Sequence, residues 1–318
     1  MSEVMKVYAC LHSHSTHSDG IHTPEELARV AKEEGYGGFA LTDHDTVSGC
    51  RDMKAACDAA GLDFAFGIEF STNSRDTGKG FHMTAFGFDP DYPEMREYLW
   101  RLSEKETDQT RQLFARGVDV GYIKNITWDE VLEYNKGISW LCNEHVFRAM
   151  KAKGLITDLE YLDFFETCFR KYRSLVPVKY KFMDTEDLIP LVHHAGGICC
   201  IAHPRGQLSA VELMARKHGL DGIEVWHGML DAAERRAALA VAEKYDLFVS
   251  GGADHEGLVG GQYIRYEHPE ETEYYFPPLT LGTTKYFFEE IRDMEKKPDR
   301  KAVMRNMLAD DTLWERVR

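Results

Sequence analysis

Short apolar runs alternate along this chain with helical patterns, and that alternation limits the fold more than any other feature of the sequence. Val7-Tyr8-Ala9-Cys10-Leu11, Gly38-Phe39-Ala40-Leu41-Thr42, Phe64 to Phe70 and Phe81 to Phe88 are four such runs in the N-terminal part; Ile198 to Ala202, Gly222 to Trp226 and Leu247 to Ser250 follow after residue 184. Runs of this length, apolar throughout, are the signature of strands buried on both faces. Residues 24–34, 50–60, 185–195, 209–218 and 231–245 carry helical spacing, and Gly35, Gly61 and Gly196-Gly197 stop three of them. About seven strands with intervening helices predict an α/β fold of the parallel-barrel kind. Residues 90–182 break the pattern. They are charged and amphipathic, with helices predicted over 94–116 and 127–135, and read as a helical insertion between barrel segments 1–89 and 183–318.

Residues able to ligate metals gather where the strands end. His12-Ser13-His14 follows the first strand and precedes Asp19 and a helix start at Thr23-Pro24. Residues i and i+2 of a strand share a face, so His12 and His14 can reach one ion while Asp19 sits on the loop beyond. Asp43-His44-Asp45 closes the second strand, and Asp254-His255-Glu256 follows the seventh. Glu69 lies inside an apolar run, where an unpaired charge is costly, so it must be ion-paired or a ligand. His82 opens the fourth strand, and His203 and His227 follow the fifth and sixth. Barrel enzymes assemble their sites at these C-terminal strand ends. His17 and His22 read as loop residues, and His193, His194 and His218 as structural or exposed.

With 318 residues, 43% of them of hydrophobic type, the chain can bury a large core. The formal charge of −15 argues against an extended nucleic-acid surface, which is built from clustered Lys and Arg. It leaves open a small anionic ligand, because a metal cluster supplies its own positive charge. No apolar run reaches the length of a membrane span, no secretory pattern opens the chain, and the seven scattered cysteines form no Cys-x-x-Cys pair. A cytoplasmic protein whose cysteines are buried or free thiols, with no disulfide frame, is expected.

Together these pieces resemble the PHP family, the polymerase and histidinol phosphatase group of metal-dependent phosphoesterases. The resemblance is carried by Leu11-His12-Ser13-His14, Ser18-Asp19-Gly20, Leu41 to Thr46, Gly67-Ile68-Glu69, His82, Ala202-His203-Pro204 and Gly252 to Asp254. His145 with Arg148, and Val176-Pro177-Val178, are most similar to the subgroup of nucleoside 3',5'-bisphosphate phosphatases. The resemblance implies a distorted (β/α)7 barrel with a helical insertion that forms part of the substrate site. It also implies two or three divalent ions: one on His12, His14, Glu69 and Asp254, a second on Asp19 and His44, a third on Glu69, His82 and His203. The mixed nitrogen and oxygen donors suit Mn²⁺, Fe²⁺ or Zn²⁺. The family has Asp-x-His at the last strand where this chain has Asp254-His255-Glu256, so either His255 or Glu256 takes the final position.

The chemistry that fits is attack of a metal-bridging hydroxide on phosphorus. The expected substrate is a small phosphorylated metabolite, a nucleotide bisphosphate or sugar phosphate. Arg148, Lys179 or Lys181, and Arg205 are candidates to hold phosphate, and His227 to line the pocket. His145 or His255 would protonate the leaving oxygen. The alternatives are a cyclic phosphodiesterase or short-oligonucleotide exonuclease, an amidohydrolase-type barrel, and a non-catalytic metal-binding barrel. The oligomeric state is not legible.

Overall fold

The computed structural model describes residues 6–176, 181–254 and 281–293. Strands β1 (Val7–Cys10), β2 (Gly38–Ala40) and β3 (Asp63–Ala65) pair in parallel in the order β3-β2-β1. A second sheet holds β4 (Gly67–Asn73), β5 (Gly80–Phe86), β6 (Ile198–Ile201), β7 (Gly222–Trp226) and β8 (Phe248–Gly251) in chain order. Backbone hydrogen bonds beyond the strand ends join the sheets on both sides. Glu69 N–H donates to Asp43 O at 3.2 Å and Asp45 N–H to Glu69 O at 2.9 Å; Leu11 N–H donates to Gly251 O and Asp254 N–H to His12 O, both at 3.0 Å. Because β3 and β4 are halves of one strand bent at Phe66, these links close a ring of seven strands: β1, β2, β3 with β4, and β5 to β8. The fold is an α/β distorted barrel.

Two strand expectations need correction. The run Phe64 to Phe70 reads as one strand but divides at Phe66, where the chain passes from one sheet to the other. The barrel is also not wholly parallel, since β5 runs antiparallel to both β4 and β6. Only residues 74–79 connect β4 to β5, and a parallel return needs a crossover of about a dozen residues or more.

Helices α1 (Pro24–Glu33) and α2 (Cys50–Ala60) cover β1 and β2, with Leu27, Ala31, Met53 and Cys57 packed among Cys10, Phe39 and Leu41. Thr23 and Glu26 form a reciprocal capping box that fixes where α1 begins. Between β5 and β6 the chain forms α3 (Pro93–Asp119), α4 (Trp128–Tyr134), α5 (Asn143–Ala152) and α6 (Tyr161–Phe164), the last running into a π-helical turn (Phe165–Arg170). These helices bury Leu113, Val131, Val146, Phe147 and Phe164 in a hydrophobic cluster of their own. Helices α7 (Thr185–His194), α8 (Leu208–His218) and α9 (Ala232–Tyr245) then cover β4 to β8.

Inside the ring, Ala9, Ala40, Ala65, Phe86, Cys200 and Phe248 form one buried cluster with Phe288 and Ile291 of α10 (Lys285–Asp293). The helix from the tail therefore plugs the barrel. Strand β9 (Thr283–Thr284) pairs antiparallel with β1, and the i, i+1, i+4 spacing of Phe287, Phe288 and Ile291 buries all three completely, worth about 2 kcal/mol each. With one end filled by apolar side chains, polar groups are confined to the other. All seven cysteines are free and buried, as expected. Among the described residues no helix is long and apolar enough to cross a membrane.

Candidate metal centre

Strand alternation aims the first ligand. Ile68 and Phe70 of β4 pack outward beneath the helices, so Glu69 between them points into the ring, where it is fully buried. Its Oε2 lies 3.2 Å from His12 Nε2, 3.3 Å from His14 Nε2 and 3.2 Å from His44 Nδ1. Its Oε1 lies 3.2 Å from both His82 Nδ1 and His203 Nε2. Asp254 Oδ1 stands 3.0 Å from His14 Nε2 and 3.4 Å from His12 Nε2. Asp19 reaches the same place from the loop after β1, 3.4 Å from His14 Nδ1 and 3.6 Å from His44 Nε2. All eight residues expected to hold metal thus meet in one cradle.

The donor atoms fall into overlapping groups, among them His12, His14, Glu69 and Asp254; His14, Asp19 and His44; His44, Glu69 and His82; and, reaching behind the cradle, His12, Glu224 and His227. His12, His14, His44 and Glu69 each belong to more than one of them. Four buried atoms in the cradle, His12 Nε2, His14 Nδ1, His44 Nδ1 and Glu69 Oε2, have no hydrogen-bond partner. Leaving such atoms unpaired costs stability, and their convergence fits a divalent cation.

The electrostatics agree. Burial pulls the His12 imidazole down, but Glu69, Glu224 and Asp254 lift it well above its ordinary pKa; His14 is likewise opposed by burial and raised by Asp19, Asp254 and Glu69. Burial pushes Glu69 up, and His12, His44 and His82 bring it well below the usual carboxylate range. Burial wins at His44, which falls to about 4. In these directions protons hold charge that a cation would otherwise hold, so metal binding must release protons.

The backbone is bent to serve the cradle. Asp45, His203 and Asp254 adopt left-handed conformations at φ 52°, 28° and 49°, each at a cost of about 1–2 kcal/mol for a residue with a Cβ. Gly252 and Gly20 are required by close approach: a Cβ at Gly252 would stand 2.3 Å from His12 N, and one at Gly20 2.3 Å from His14 O.

Groups behind the cradle orient it. Glu224, between Ile223 and Val225 of β7, accepts His12 Nδ1–H at 3.0 and 3.1 Å and the His203 backbone N–H at 2.8 Å. Sequence reasoning missed it, although a glutamate in an apolar strand is the same signal that marked Glu69. Of Asp43-His44-Asp45 only His44 enters the cradle. Asp43 accepts Ser15 N–H at 2.7 Å and the Ser15 and Ser18 hydroxyls at 2.8 Å, shaping the loop that carries Asp19, and Asp45 accepts Ser71 N–H at 2.9 Å. His227 is buried against the cradle: its Nδ1 accepts Met229 N–H at 3.1 Å, and its Nε2 lies 3.2 Å from Asp254 Oδ2. His17 turns away to Ser48, 3.0 Å from Nδ1.

The insertion touches the same loop. Arg148 of α5 donates to the carbonyls of Gly20, Thr16 (3.2 Å) and Ser18 (2.9 Å). His145, one turn earlier, is fully buried, and its Nδ1 accepts Cys142 N–H at 3.0 Å. Burial, reinforced by Arg148, holds His145 well below its ordinary pKa. Arg205 is exposed, with Nε 3.6 Å from Glu234, and Lys181 lies 2.8 Å from Asp184. Lys179, His255 and Glu256 lie outside the described residues.

Comparison with known proteins places this arrangement. The PHP domain family matches residues 11–189. Similarity extends to a phosphoribosyl 1,2-cyclic phosphate 1,2-diphosphodiesterase of Eggerthella lenta, 27% identical over 79% of this chain and 94% of the relative. A 3',5'-nucleoside bisphosphate phosphatase of Chromobacterium violaceum is 28% identical over 85% of this chain and 92% of its own length. A solved structure from Bifidobacterium adolescentis, assigned to the metal-dependent phosphoesterases, superposes with a TM-score of 0.69 at 25% identity, covering 92% of this chain and 98% of that one.

Proposed function

The chain belongs to the PHP domain family, and from that premise we propose that it is a metal-dependent phosphoesterase acting on a small phosphorylated metabolite, a nucleotide bisphosphate or sugar phosphate. The observation that carries this reading is Glu69, whose two oxygens face five imidazoles while Asp19 and Asp254 complete the cradle. In this reading the cradle holds two or three ions of Mn²⁺, Fe²⁺ or Zn²⁺, bound by His12, His14, Asp19, His44, Glu69, His82, His203 and Asp254. Bound divalent ions supply Lewis acidity and a nucleophile at neutral pH.

The chain's own residues prepare that chemistry. Glu224 accepts the Nδ1–H of His12, which leaves Nε2, the atom facing Glu69 and Asp254, as the one that would bind metal on losing its proton. His227 has the opposite tautomer: its Nδ1 accepts the Met229 N–H, so the proton sits on Nε2 and is donated to Asp254 Oδ2. Oδ1 of Asp254 is thereby kept toward His12 and His14. Of the two histidines assigned to protonate the leaving oxygen, His255 directly follows Asp254 in the chain. His145 stands on the insertion beside the Asp19 loop, with its Nδ1 occupied. The wider reading is a cytoplasmic enzyme that takes a small substrate and has no extended nucleic-acid surface.

Likeness to the Chromobacterium violaceum bisphosphate phosphatase favours a monoester substrate, whereas likeness to the Eggerthella lenta enzyme favours opening of a cyclic diester as the second reading. Purified protein loaded in turn with Mn²⁺, Fe²⁺ and Zn²⁺ separates them when screened against nucleoside bisphosphates, sugar phosphates, cyclic phosphodiesters and amides. Phosphate release from monoesters is expected. Hydrolysis of amides alone, or of nothing by fully metal-loaded protein, overturns the proposal.

A further inference from the structure

A second group of metal donors lies toward the opposite end of the barrel. Cys199, the second residue of β6, Asp221, directly before β7, and His193, in the last turn of α7, bring a sulfur, an oxygen and a nitrogen within 4.8 Å of one another. Asp221 Oδ2 is their meeting point: it stands 2.7 Å from His193 Nε2 and 3.5 Å from Cys199 Sγ, and it accepts the Cys199 backbone N–H at 2.9 Å. The cradle gathers where the strands end. His203 follows Cys199 by four positions, about 13 Å along extended chain, so no ion is shared between the two places.

The sheet fixes two of the donors. β6 and β7 pair in parallel with Cys200 opposite Gly222, which sets Cys199 beside Asp221, and Asp221 N–H donates to Cys199 O at 3.2 Å. Strand alternation sends Cys200 into the ring and Cys199 outward beneath the helices. A thiol there is ordinarily an inert apolar filler, but this one faces a carboxylate and an imidazole. An ion pair between His193 and Asp221 uses two of the three donors and leaves the buried thiol turned to a carboxylate for little gain, because S–H is a weak donor.

A cation uses all three. Bonds of about 2.0–2.3 Å from Zn²⁺ to nitrogen, oxygen and sulfur put tetrahedral neighbours about 3.3–3.6 Å apart. The Sγ to Oδ2 separation is already 3.5 Å, and Nε2 need retreat from Oδ2 by only about 0.6 Å. The His193 side chain is 36% exposed, so it has room to move and water can reach a fourth position. Without metal both protons stay in place: the hydrogen bond to Asp221 holds the His193 imidazole above its ordinary pKa, and burial, then Asp221, pushes the Cys199 thiol well up. Metal binding exchanges those protons for the ion.

We infer that His193, Cys199 and Asp221 form a Zn²⁺ site separate from the cradle, one that ties the end of α7 to β6 and to the start of β7. Thiolate and imidazole with a single carboxylate select Zn²⁺ over Mn²⁺ and Mg²⁺, whereas the cradle's eight ligands offer nitrogen and oxygen alone. The site clamps the barrel wall and does not depend on the reaction at the cradle.

The test uses the full chain, stripped by chelator and titrated with Co²⁺ as a coloured stand-in for Zn²⁺. None of the cradle's eight ligands is a cysteine, so a thiolate-to-Co²⁺ charge-transfer band reports the second site. The parent should develop the band, Zn²⁺ should displace it, and Cys199→Ser should lack it while still binding Co²⁺ at the cradle. No band in the parent, a band that Zn²⁺ fails to displace, or an undiminished band in Cys199→Ser overturns the proposal. Should Cys199→Ser fail to fold, His193→Gln at the partly exposed position decides. Its Co²⁺ midpoint for the band should rise by at least the roughly 10–100-fold that even an outer partner of a metal is worth, and an unchanged midpoint overturns the proposal.

Discussion

Glu69 on β4 and Glu224 on β7 look alike in every local respect. Each is buried, each stands between two apolar residues that pack outward, and each points into the same ring. Their partners differ. Glu69 faces the ring nitrogens of five histidines that have other work to do, and one of its oxygens has no hydrogen-bond partner. Glu224 is saturated by the His12 Nδ1–H and the His203 backbone N–H. An identical residue in an identical strand pattern thus becomes a hub in one place and an orienting support in the other. Its neighbours across the barrel decide which.

The most direct way to break this comparison is to neutralise the hub. Glu69→Gln should reduce metal content to a small fraction and phosphate release by about a thousandfold, since the imidazoles around it lose their shared anion. Metal analysis and a phosphate assay on the same sample check it, and full occupancy with near-normal turnover would remove Glu69 from the centre. Glu224→Gln should be milder, weakening metal affinity by about 10–100-fold and recovering most turnover at saturating metal, the behaviour of an outer partner. If the two variants behave alike, the distinction between hub and support is lost.

Arg148→Ala should act through the loop rather than on a ligand. Losing three carbonyl contacts frees the segment carrying Asp19, so turnover should fall by about tenfold and amide exchange over residues 15–20 should rise. Lysine cannot reproduce a fork that reaches three carbonyls, so Arg148→Lys should rescue little. Unchanged exchange in Arg148→Ala would show that the loop is held without it.

The smallest effect lies outside both glutamates, at His22. Burial lowers its pKa from 6.5 to about 4, so the folded state refuses a proton that the unfolded chain accepts. Its contribution is therefore fully present above pH 6.5 and is lost as pH falls toward 4, roughly 1 kcal/mol by pH 5.5. Chelator-treated parent and His22→Gln, unfolded in urea across this range, should differ in slope by that amount. Parallel slopes would mean that acid sensitivity belongs to the cradle alone.

The strands, most helices and the ligand types were legible because each depends on local pattern. Gly222 to Trp226 is a strand in sequence and structure alike, and residues 50–60 a helix. The antiparallel β5 was less so, since its direction depends on how few residues separate it from β4. The role of α10 was also hidden, because nothing local marks Phe288 and Ile291 as interior residues until strands from both sheets surround them. Glu224 could have been found by the argument that found Glu69. The loop contacts of Arg148 could not, as its partners are carbonyls more than a hundred residues away.

What the sequence by itself determined was the inventory and its approximate placement: imidazoles and carboxylates at strand ends, apolar residues between, a charged helical stretch inserted in the middle. Such features follow from periodicity and residue chemistry, which act over a few positions at a time. Only the tertiary structure decided which nitrogen of His12 faces the cradle and which faces Glu224, and that Arg148 is spent on a loop. Hydrogen-bond direction, tautomer and charge pairing depend on atoms brought within about 3 Å by closure of the ring, and that closure joins residues from opposite ends of the chain.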